Sequence, residues 1–537
     1  GTPMAAWLAL LSAVICMASA VAVASLSIAT ETWEHPHTAS STLVGAHYFG
    51  GWYDCYGANG TCQSHWAGYA PRGEPTEDWR AFYPERIPLL GNSTVLEATV
   101  ANEVQAADQA LDYFDVLYYD GGAGPAQGLD QCNNEDPNLA HCLVTALAWM
   151  LNSSNVWAGV TRLHFFITYS NDIDQGAEHR GMFVGQQGMA LWESYIGTWT
   201  RAMAHPHYLR VGGRPVFKIL IPDIFAKWQC GGNTTLAQEL ITRFKEHAMA
   251  TGLAEPLIGG GWDNPSIPVN GTVTPRPHPE GYMEYPGTMI DCSPPCDLGK
   301  PFQAPDADGC MTVCNSTVGC AAFVTSPSSP SSPSSSSSAV SASVVCHLKT
   351  AVAPGAPGGD QNAYVRVWED VVFDFTGTYN AAPPVCPGNP SWVCPKYENS
   401  WWPNATATGA KVFSYMEMAA YQAEARGNHT ADTVPYVASL IASFDPRPWE
   451  EHSPSFAFPT IAEWTWAVSQ AKAAVETPGA RFGFPDATQA AGVVPAFTIY
   501  AWNEYGEGGI LAPTQGDGSM KLDVIAKVFG RGKYAET

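Results

Sequence analysis

The chain carries few positive charges and few charges of any kind. Of its 537 residues, 26 are Lys or Arg against 50 Asp or Glu, and the first cation is Arg72. The net charge of −24 argues against nucleic acid or an anionic membrane surface as a partner. The sequence also lacks a glycine-rich phosphate loop and a G-x-S-x-G nucleophile elbow, and its histidines are scattered. We therefore predict neither a metal nor a cofactor.

Charge is absent altogether from residues 1–29, which are largely apolar. Such a run is typical of a secretory signal peptide, with Ala18-Ser19-Ala20 as a small-residue cleavage site. Because the run is long for that purpose, an uncleaved type II signal-anchor is the alternative. Both interpretations predict that the rest of the chain lies in a secretory lumen, such as the Golgi, or outside the cell. No other segment is apolar enough to span a bilayer, so no further membrane contact is expected.

Cysteines and glycosylation sequons agree with an oxidising compartment. Of the 14 cysteines, Cys16 lies in the leader, which leaves an odd number, and Cys230 is the predicted free thiol. Closely spaced pairs predict short-loop disulfides rather than a metal site, since zinc-site spacing is missing. These pairs are Cys55 with Cys62, Cys132 with Cys142, and Cys386 with Cys394. Predicted N-glycosylation acceptors are Asn59, Asn92, Asn152, Asn233, Asn270, Asn315, Asn404 and Asn428.

Eight apolar stretches rich in β-branched and aromatic residues alternate with helical patterns. Continuous apolar runs indicate parallel strands that are covered on both faces. Polar residues and glycines follow the strands, a pattern typical of a (β/α)8 barrel. We predict an α/β fold, a (β/α)8 TIM barrel formed by residues 40–285 and 366–537, with a doubly wound open sheet as the alternative. The predicted strands are 43–49, 113–120, 163–170, 215–221, 256–262, 371–375, 435–441 and 494–502, and the predicted helices are 95–111, 139–151, 186–203, 235–251 and 458–475.

A cysteine-rich segment, residues 286–365, separates the fifth strand from the sixth, and its residues 325–338 form a Ser/Pro-rich flexible loop. Cys310-Met311-Thr312-Val313-Cys314, Cys320-Ala321-Ala322-Phe323 and Cys346-His347-Leu348-Lys349 resemble a PAN/apple domain. The resemblance implies a small α+β insertion with disulfides Cys314–Cys320 and Cys310–Cys346, and a glycan or protein ligand. A disulfide-stapled insertion without a partner is the alternative.

The eighth predicted strand ends in Asn503, Glu504 and Glu507, set among three glycines. A buried strand that delivers two carboxylates to a glycine-rich loop can present acid and base groups at the mouth of a barrel. A solvated acidic turn is the alternative when this stretch is taken alone. The seven preceding strands favour the catalytic interpretation. The 19 Trp and 22 Tyr suit sugar rings, which stack on aromatic faces, although such residues also fill cores.

The run Trp502-Asn503-Glu504-Tyr505-Gly506-Glu507-Gly508 resembles the signature of the glycoside hydrolase family 99-like barrels, which include the endo-α-mannosidases and the WbsX-like proteins. Segments that agree in order are Ala46-His47-Tyr48-Phe49, Tyr113-Phe114, Tyr119-Asp120, Tyr169 to Asn171, Tyr208 to Phe217, Asp374 to Asn380 and Phe444 to Arg447.

The resemblance implies a retaining glycoside hydrolase acting on α-linked, mannose-like oligo- or polysaccharides. Glu504 would deprotonate the sugar's own 2-hydroxyl, and Glu507 would serve as acid and then base around an anhydro-sugar intermediate. The implied substrate-binding residues are Tyr48, Trp52, Asp120, Asn171, Tyr379, Arg447, Trp502, Asn503 and Tyr505. Endo-mannosidases have Trp-His between the two glutamates, whereas this chain has Tyr505-Gly506, which brings it closer to the WbsX-like branch.

Two alternatives belong to other functional classes. A WbsX-like glycosyltransferase would need a nucleotide-sugar site, for which the Asp-x-Asp matches at 172–174 and 306–308 are weak support. A non-catalytic glycan-binding or adhesion protein would use the apple-like segment instead. Lys218, late on the fourth strand, suits either a carboxylate sugar or an ion pair with Asp223.

Overall fold

A computed structural model of the protein describes most of the predicted barrel and part of the inserted segment. The described residues are 42–52, 66–68, 77–119, 143–171, 180–222, 224–261, 276–278, 282–290, 300–304, 309–310, 313–314, 320, 322–327, 344–349, 354–366, 373–378, 412–428, 434–448, 455–489 and 491–532. The leader and two predicted sugar-binding residues, Asp120 and Tyr379, lie outside these ranges.

Three of the five predicted disulfides also lie outside the described residues. The six cysteines concerned are Cys55 and Cys62, Cys132 and Cys142, and Cys386 and Cys394. The structure therefore neither joins nor separates these three pairs, and each of the short-loop disulfides stays a prediction.

Eight parallel strands close into a barrel, which confirms the predicted fold class. Each strand pairs with the next one along the chain, and the last pairs back with the first, with Val44 opposite Phe497. Because every strand has two neighbours, the barrel leaves no open edge. The strands are β1 (Leu43–Tyr48), β2 (Tyr113–Tyr118), β3 (His164–Tyr169), β4 (Arg214–Ile219), β5 (Leu257–Gly260), β6 (Phe375–Gly377), β7 (Tyr436–Ile441) and β8 (Val493–Tyr500).

Helices follow all the strands except β5 within the described residues. Two of them begin at side-chain caps: Asn233 accepts from the backbone N–H of Leu236, and Thr460 forms a capping box with Glu463. The helices are α1 (Glu97–Ala107), α2 (Thr145–Asn152), α3 (Gly185–Met203), α4 (Thr234–Ala250), α5 (Tyr415–Asn428), α6 (Ile461–Val475) and α7 (Met520–Val528).

Short elements complete the barrel. The strands Arg210–Val211 and Gly483–Pro485 extend its sheet through antiparallel pairs with β4 and β8. Single helical turns occur at Trp79–Ala81 and Pro84–Arg86, and a π-helix at Ile224–Gln229. Two-residue ladders pair Ala67–Gly68 with Glu77–Asp78, Val412–Phe413 with Ser455–Phe456, and Asn503–Glu504 with Gly509–Ile510.

The inserted segment contains a six-stranded antiparallel sheet. The structure joins Cys310 to Cys346 and Cys314 to Cys320, the two disulfides implied by the apple-like resemblance. The sheet starts earlier than residue 286. Its strands are Arg276–His278, Tyr282–Ile290, Phe302–Ala304, Ala322–Pro327, Val344–Lys349 and Pro354–Arg366.

The structure departs from the sequence prediction at strand β6 and at helices α5 and α7, neither of which was predicted. Strand β6 begins at Phe375, later than predicted, because the backbone N–H of Ile258 donates to the side chain of Asp374 at 2.8 Å instead of to a backbone carbonyl of this strand. Helix α5 was not predicted, since polar Gln422 and Arg426 occupy part of its buried face and weaken its apolar period. Both residues bind the backbone of β7, which explains their burial.

Three further predictions concern the free cysteine, the glycosylation sites and membrane-spanning helices. Cys230 is a buried free thiol, as predicted. The sequon residues Asn92, Asn152 and Asn233 are described and not buried, and their glycosylation stays a prediction. Among the helices of the described ranges, none is long and apolar enough to cross a membrane. The sequon residues outside the described ranges are Asn59, Asn270, Asn315 and Asn404.

Candidate active site

The hairpin that follows β8 presents both predicted catalytic carboxylates. Its ladder pairs Asn503 with Ile510 and Glu504 with Gly509, which leaves Tyr505 to Gly508 as a tight connection. Glu504 is buried, with 6% of its surface exposed, whereas Glu507 is partly exposed. The hairpin lies at the carboxyl end of a barrel strand, where barrel enzymes hold their catalytic groups. Because residues 503–510 carry the two predicted catalytic carboxylates, we call them the catalytic hairpin.

Two glycines allow the catalytic hairpin to pack closely on its neighbours. Gly508 has φ +77°, and a Cβ atom there would lie 2.8 Å from the backbone nitrogen of Asp445. A Cβ atom on Gly509 would lie 2.5 Å from the ring of Tyr500. The glycine-rich sequence therefore has a steric reason that is independent of any ligand.

Tyr500, the last residue of β8, contacts Glu507, the predicted acid/base. Its hydroxyl donates a hydrogen bond to the carboxylate of Glu507. Burial, followed by the negative charges of Glu507 and Glu504, raises the pKa of the Tyr500 hydroxyl well above its ordinary value. Tyr500 therefore keeps its proton near neutral pH and remains a donor that orients Glu507.

A buried arginine braces the catalytic hairpin from the side of β7. Arg86 donates to the carbonyl oxygens of Asp445 and Tyr505 at 2.9 and 3.1 Å, and also to the Asp445 carboxylate. The backbone N–H of Asp445 in turn donates to the carbonyl oxygen of Glu507 at 2.6 Å. Burial opposes ionisation of Asp445, but hydrogen bonds and charge from Arg447 and Arg86 outweigh it and lower the pKa of this carboxyl. The cluster ties the end of β7 to the turn that carries Glu507.

Arg447 pairs with Asp445 and is also partly exposed to solvent. Its Nε and Nη2 each donate to the Asp445 carboxylate at 2.6 Å, and 31% of its side chain is exposed. The exposed part leaves the predicted contact with a substrate sterically open.

Two predicted sugar-binding asparagines instead hold strand ends together. The Asn503 amide accepts from the N–H of Phe49 at 2.8 Å and donates to its carbonyl at 2.9 Å. The Asn171 amide does the same with Ile221, at 2.8 and 2.9 Å. Each amide therefore continues the hydrogen bonding of the barrel beyond the ends of its strands, and both side chains are fully buried. This geometry differs from the prediction that they contact a sugar.

Two aromatic residues that were predicted to bind a sugar, Trp52 and Tyr505, belong to a buried cluster behind the catalytic hairpin. Trp52 donates from its indole N–H to the carbonyl of Asn503 at 2.6 Å, and its ring lies 4.4 Å from Trp66 and 5.3 Å from Tyr505. Neither Trp52 nor Tyr505 is more than 1% exposed. The cluster supports the hairpin by packing, and these two rings do not offer a face to a sugar.

Tyr48 and Trp502 point outward from the barrel, toward helix α1. The Tyr48 hydroxyl donates to the carboxylate of Glu103 on α1 at 2.5 Å. The rings of Tyr48 and Trp502 lie 5.0 and 5.1 Å from Phe114, and both residues are fully buried. The structure thus assigns them to the layer between strands and helix rather than to the mouth.

A charged network fills the barrel beneath the mouth. Asp115 accepts from Lys218 and from the hydroxyl of Thr168, and His47 Nδ1 lies 2.9 Å from its Oδ2. Burial opposes ionisation of Asp115, but the charges of Lys218 and His47 outweigh it and lower its pKa, while burial lowers the pKa of His47. Lys218 is therefore paired with Asp115, whereas the predicted partner Asp223 lies outside the described residues.

The site offers no metal ligand set in the part of the chain that the structure describes: no three His, Cys, Asp or Glu side chains are grouped to hold an ion there. Tyr119, just after β2, packs edge-on against Phe49, with their ring centroids 5.9 Å apart. The neighbouring Asp120, and Tyr379 after β6, are outside the described residues, so their predicted contacts with a sugar stay predictions.

Sequence reasoning missed the roles of Arg86, Glu103 and Tyr500. Glu103 carries a recognisable signal, because Val100, Glu103, Val104 and Ala107 share one buried face of α1. A carboxylate on an apolar helix face is rarely buried without a reason. Arg86 follows no pattern, since its partners are backbone carbonyls of residues more than 350 positions away.

No protein-family model matches the chain, and no curated protein matches it. Solved structures that resemble it include a glycoside hydrolase-like protein, with TM-score 0.45 and 10% identity over 91% of this chain and 94% of the other. Two structures of the GH99 endo-α-mannosidase from Bacteroides thetaiotaomicron also resemble it. The complex with bis-tris-propane has TM-score 0.39 and 11% identity over 92% and 96% of the two chains, and the other structure has 0.38 and 12% over 89% and 88%.

Proposed function

We propose that this chain is a retaining glycoside hydrolase that acts on α-linked, mannose-like glycans. The observation that carries the proposal is the catalytic hairpin, because Glu504 and Glu507 share one short braced turn at the carboxyl end of a barrel strand. Two carboxyl groups held beside one glycosidic bond are the common requirement of glycosidases. The Tyr500 hydroxyl bound to Glu507 adds a fixed orientation for one of them.

The proposed mechanism divides the two proton transfers between the two glutamates. Glu504 removes the proton of the sugar 2-hydroxyl while that oxygen attacks C1 and the glycosidic C–O bond breaks. Glu507 gives its proton to the leaving oxygen. In the second step Glu507 takes a proton from water, which attacks C1 and opens the anhydro-sugar, and Glu504 returns its proton to the 2-oxygen. Two inversions at C1 give a product with the original anomeric configuration.

The test compares hydrolysis of α-mannosides and related oligosaccharides by the wild type, Glu504→Gln and Glu507→Gln. Each replacement should lower kcat by at least about a hundredfold, because each removes a group that moves a proton in the transition state. An aryl glycoside with a good leaving group should recover much of the first-step rate in Glu507→Gln but not in Glu504→Gln, since only the former lacks the proton donor. Glu239→Gln, on the exposed face of α4, is the matched control.

Three outcomes would count against the proposal. Unchanged turnover in both variants would remove the assignment of the glutamates. Inversion at the anomeric carbon would remove the anhydro-sugar mechanism. Glycan binding without turnover, abolished by deletion of residues 286–365, would instead favour an adhesion protein that uses the inserted segment.

The compartment of the reaction is part of the same proposal. A lumenal or extracellular site fits the uncharged leader, the sequons and the two disulfides of the inserted sheet. We expect endoglycosidase treatment of the secreted chain to lower its mass, with Asn92, Asn152 and Asn233 as accessible acceptors.

A further inference from the structure

Tyr83 is a partly exposed aromatic residue that packs on the arginine bracing the catalytic hairpin. It belongs to the segment that follows β1 and directly precedes the helical turn Pro84–Arg86. The guanidinium carbon of Arg86 lies over its ring, 4.7 Å from the ring centroid. The same guanidinium donates to the carbonyl oxygens of Asp445 and Tyr505. One side chain therefore separates Tyr83 from the turn between the two glutamates.

A second arginine connects the ring of Tyr83 with the backbone of Glu507. The guanidinium carbon of Arg447 lies 5.7 Å from the ring centroid. Arg447 binds the carboxylate of Asp445, whose backbone N–H donates to the carbonyl oxygen of Glu507 at 2.6 Å. Arg86 and Arg447 both donate from Nη2 to the same oxygen of Asp445, Oδ2. The two guanidiniums therefore lie close together and do not cover opposite faces of the ring.

An aromatic ring beside a partly exposed guanidinium suits a sugar. The C–H groups of a sugar ring stack on an aromatic face, and guanidinium N–H groups donate to sugar hydroxyls. Arg447 has 31% of its side chain exposed, and Asp445 holds its Nε and Nη2, which fixes its orientation beside the ring. The four described aromatic residues that the sequence predicted for sugar binding are buried instead: Tyr48, Trp52, Trp502 and Tyr505.

We propose that Tyr83 binds a second sugar ring of the glycan, next to the sugar whose glycosidic bond is broken. The proposal rests on the proposed function, because it adds a subsite to that same site. It also narrows the substrate class to oligosaccharides, since a glycoside with a single sugar does not reach the ring of Tyr83. Tyr83 takes no part in the proton transfers of Glu504 and Glu507 and acts through binding alone.

The test measures kcat and KM of the full-length chain with an α-linked mannotriose. Tyr83→Leu should raise KM about tenfold, the effect of one lost stacking contact, and keep kcat within about threefold. Tyr83→Phe keeps the ring and should keep KM within about threefold of the wild type. With α-mannosyl fluoride, which carries one sugar, Tyr83→Leu should not raise KM. Trp466→Leu, which removes an exposed ring from α6, is the matched control.

A rise in KM that occurs in Tyr83→Leu, but not in Tyr83→Phe or Trp466→Leu, supports the subsite. Unchanged KM in Tyr83→Leu would overturn it. A lower kcat at unchanged KM would also overturn it, because the ring would then only shield Arg86 from water. Should Tyr83→Leu fail to fold, Tyr83→Gln takes its place with the same expected result, since a planar amide covers a guanidinium but offers no aromatic face.

Binding measurements separate this proposal from the proposed function. A wild type that binds mannotriose without hydrolysing it refutes the proposed function. Calorimetric titration of the same variants then decides the subsite: a Kd about tenfold weaker in Tyr83→Leu supports it, and equal Kd values refute it. A wild type that neither binds nor hydrolyses mannotriose refutes both proposals.

Discussion

Replacing Glu103 with glutamine should change how the stability of the protein depends on pH. Burial raises the pKa of Glu103 from its ordinary value of 4.5 to about 7. Between these two values the folded state binds more protons than the unfolded state, so this group makes stability fall as pH rises. A difference of about 2.5 between the two pKa values corresponds to roughly 3.4 kcal/mol at 1.36 kcal/mol per pKa unit.

The glutamine variant lacks this titration. Near pH 4 the carboxyl group is neutral in both states, so the wild type and Glu103→Gln should have similar free energies of unfolding. Above pH 8 the variant should be more stable by about 3 kcal/mol. Urea unfolding from pH 4 to pH 9 measures this difference, with tryptophan fluorescence as the signal. Trp52, Trp66 and Trp79 lie in the cluster beside the catalytic hairpin and report on this region.

Glu97→Gln on the same helix is the matched control. Hydrogen bonds from Ser153 and Asn155 lower the pKa of Glu97, so its carboxylate adds stability above its ordinary pKa. This control should therefore become less stable than the wild type as pH rises, opposite in sign to Glu103→Gln. A stability difference for Glu103→Gln that stays constant from pH 4 to pH 9 would refute the reasoning, because a carboxyl group without a pKa shift contributes no slope.

Two further predictions concern the brace and the inserted sheet. Arg86→Met should lower the free energy of unfolding by about 3–5 kcal/mol and abolish most turnover, because it leaves the buried Asp445 carboxylate undercompensated and frees the carbonyls of the catalytic hairpin. An additional Asp445→Asn change should restore part of the stability, and no recovery would contradict this explanation. Replacing Cys310 and Cys346 with alanine opens a loop of sequence separation 36 and should destabilise the inserted sheet by about 4 kcal/mol. Turnover should remain at the wild-type level, and a parallel loss of turnover would show that the sheet contributes to the site.

The barrel could be predicted from the sequence because its strands satisfy a local rule. The strands of a closed barrel face helices on one side and the barrel interior on the other, so most of their residues are apolar. Strand β6 shows where the rule weakens. Its run is short, and the edge of the ladder depends on Asp374 reaching the backbone of Ile258, a partner more than a hundred residues away. Helix α5 was missed for a similar reason, since Gln422 and Arg426 are buried only because they bind β7.

The site was predicted less completely than the fold. The two glutamates stand on the hairpin where the sequence suggested, but four of the aromatic residues around them, Tyr48, Trp52, Trp502 and Tyr505, are buried supports. A sequence shows that a tyrosine follows a strand, but not to which side its ring turns. At Tyr48 and Tyr500 the two directions are opposite: Tyr48 binds helix α1, whereas Tyr500 binds Glu507.

The sequence also does not show what Asn171 and Asn503 bind, because an amide is equally suited to a sugar hydroxyl and to a peptide group. What decides between them is the strand register. The register of β1 with β8 brings the backbone of Phe49 within one residue of Asn503, and that of β3 with β4 brings Ile221 opposite Asn171. Each amide therefore closes the barrel just beyond the ladder, and Asn503 directly precedes the predicted base Glu504. Asn503 and Asn171 therefore hold the mouth of the barrel in shape, and the substrate contacts must come from other side chains.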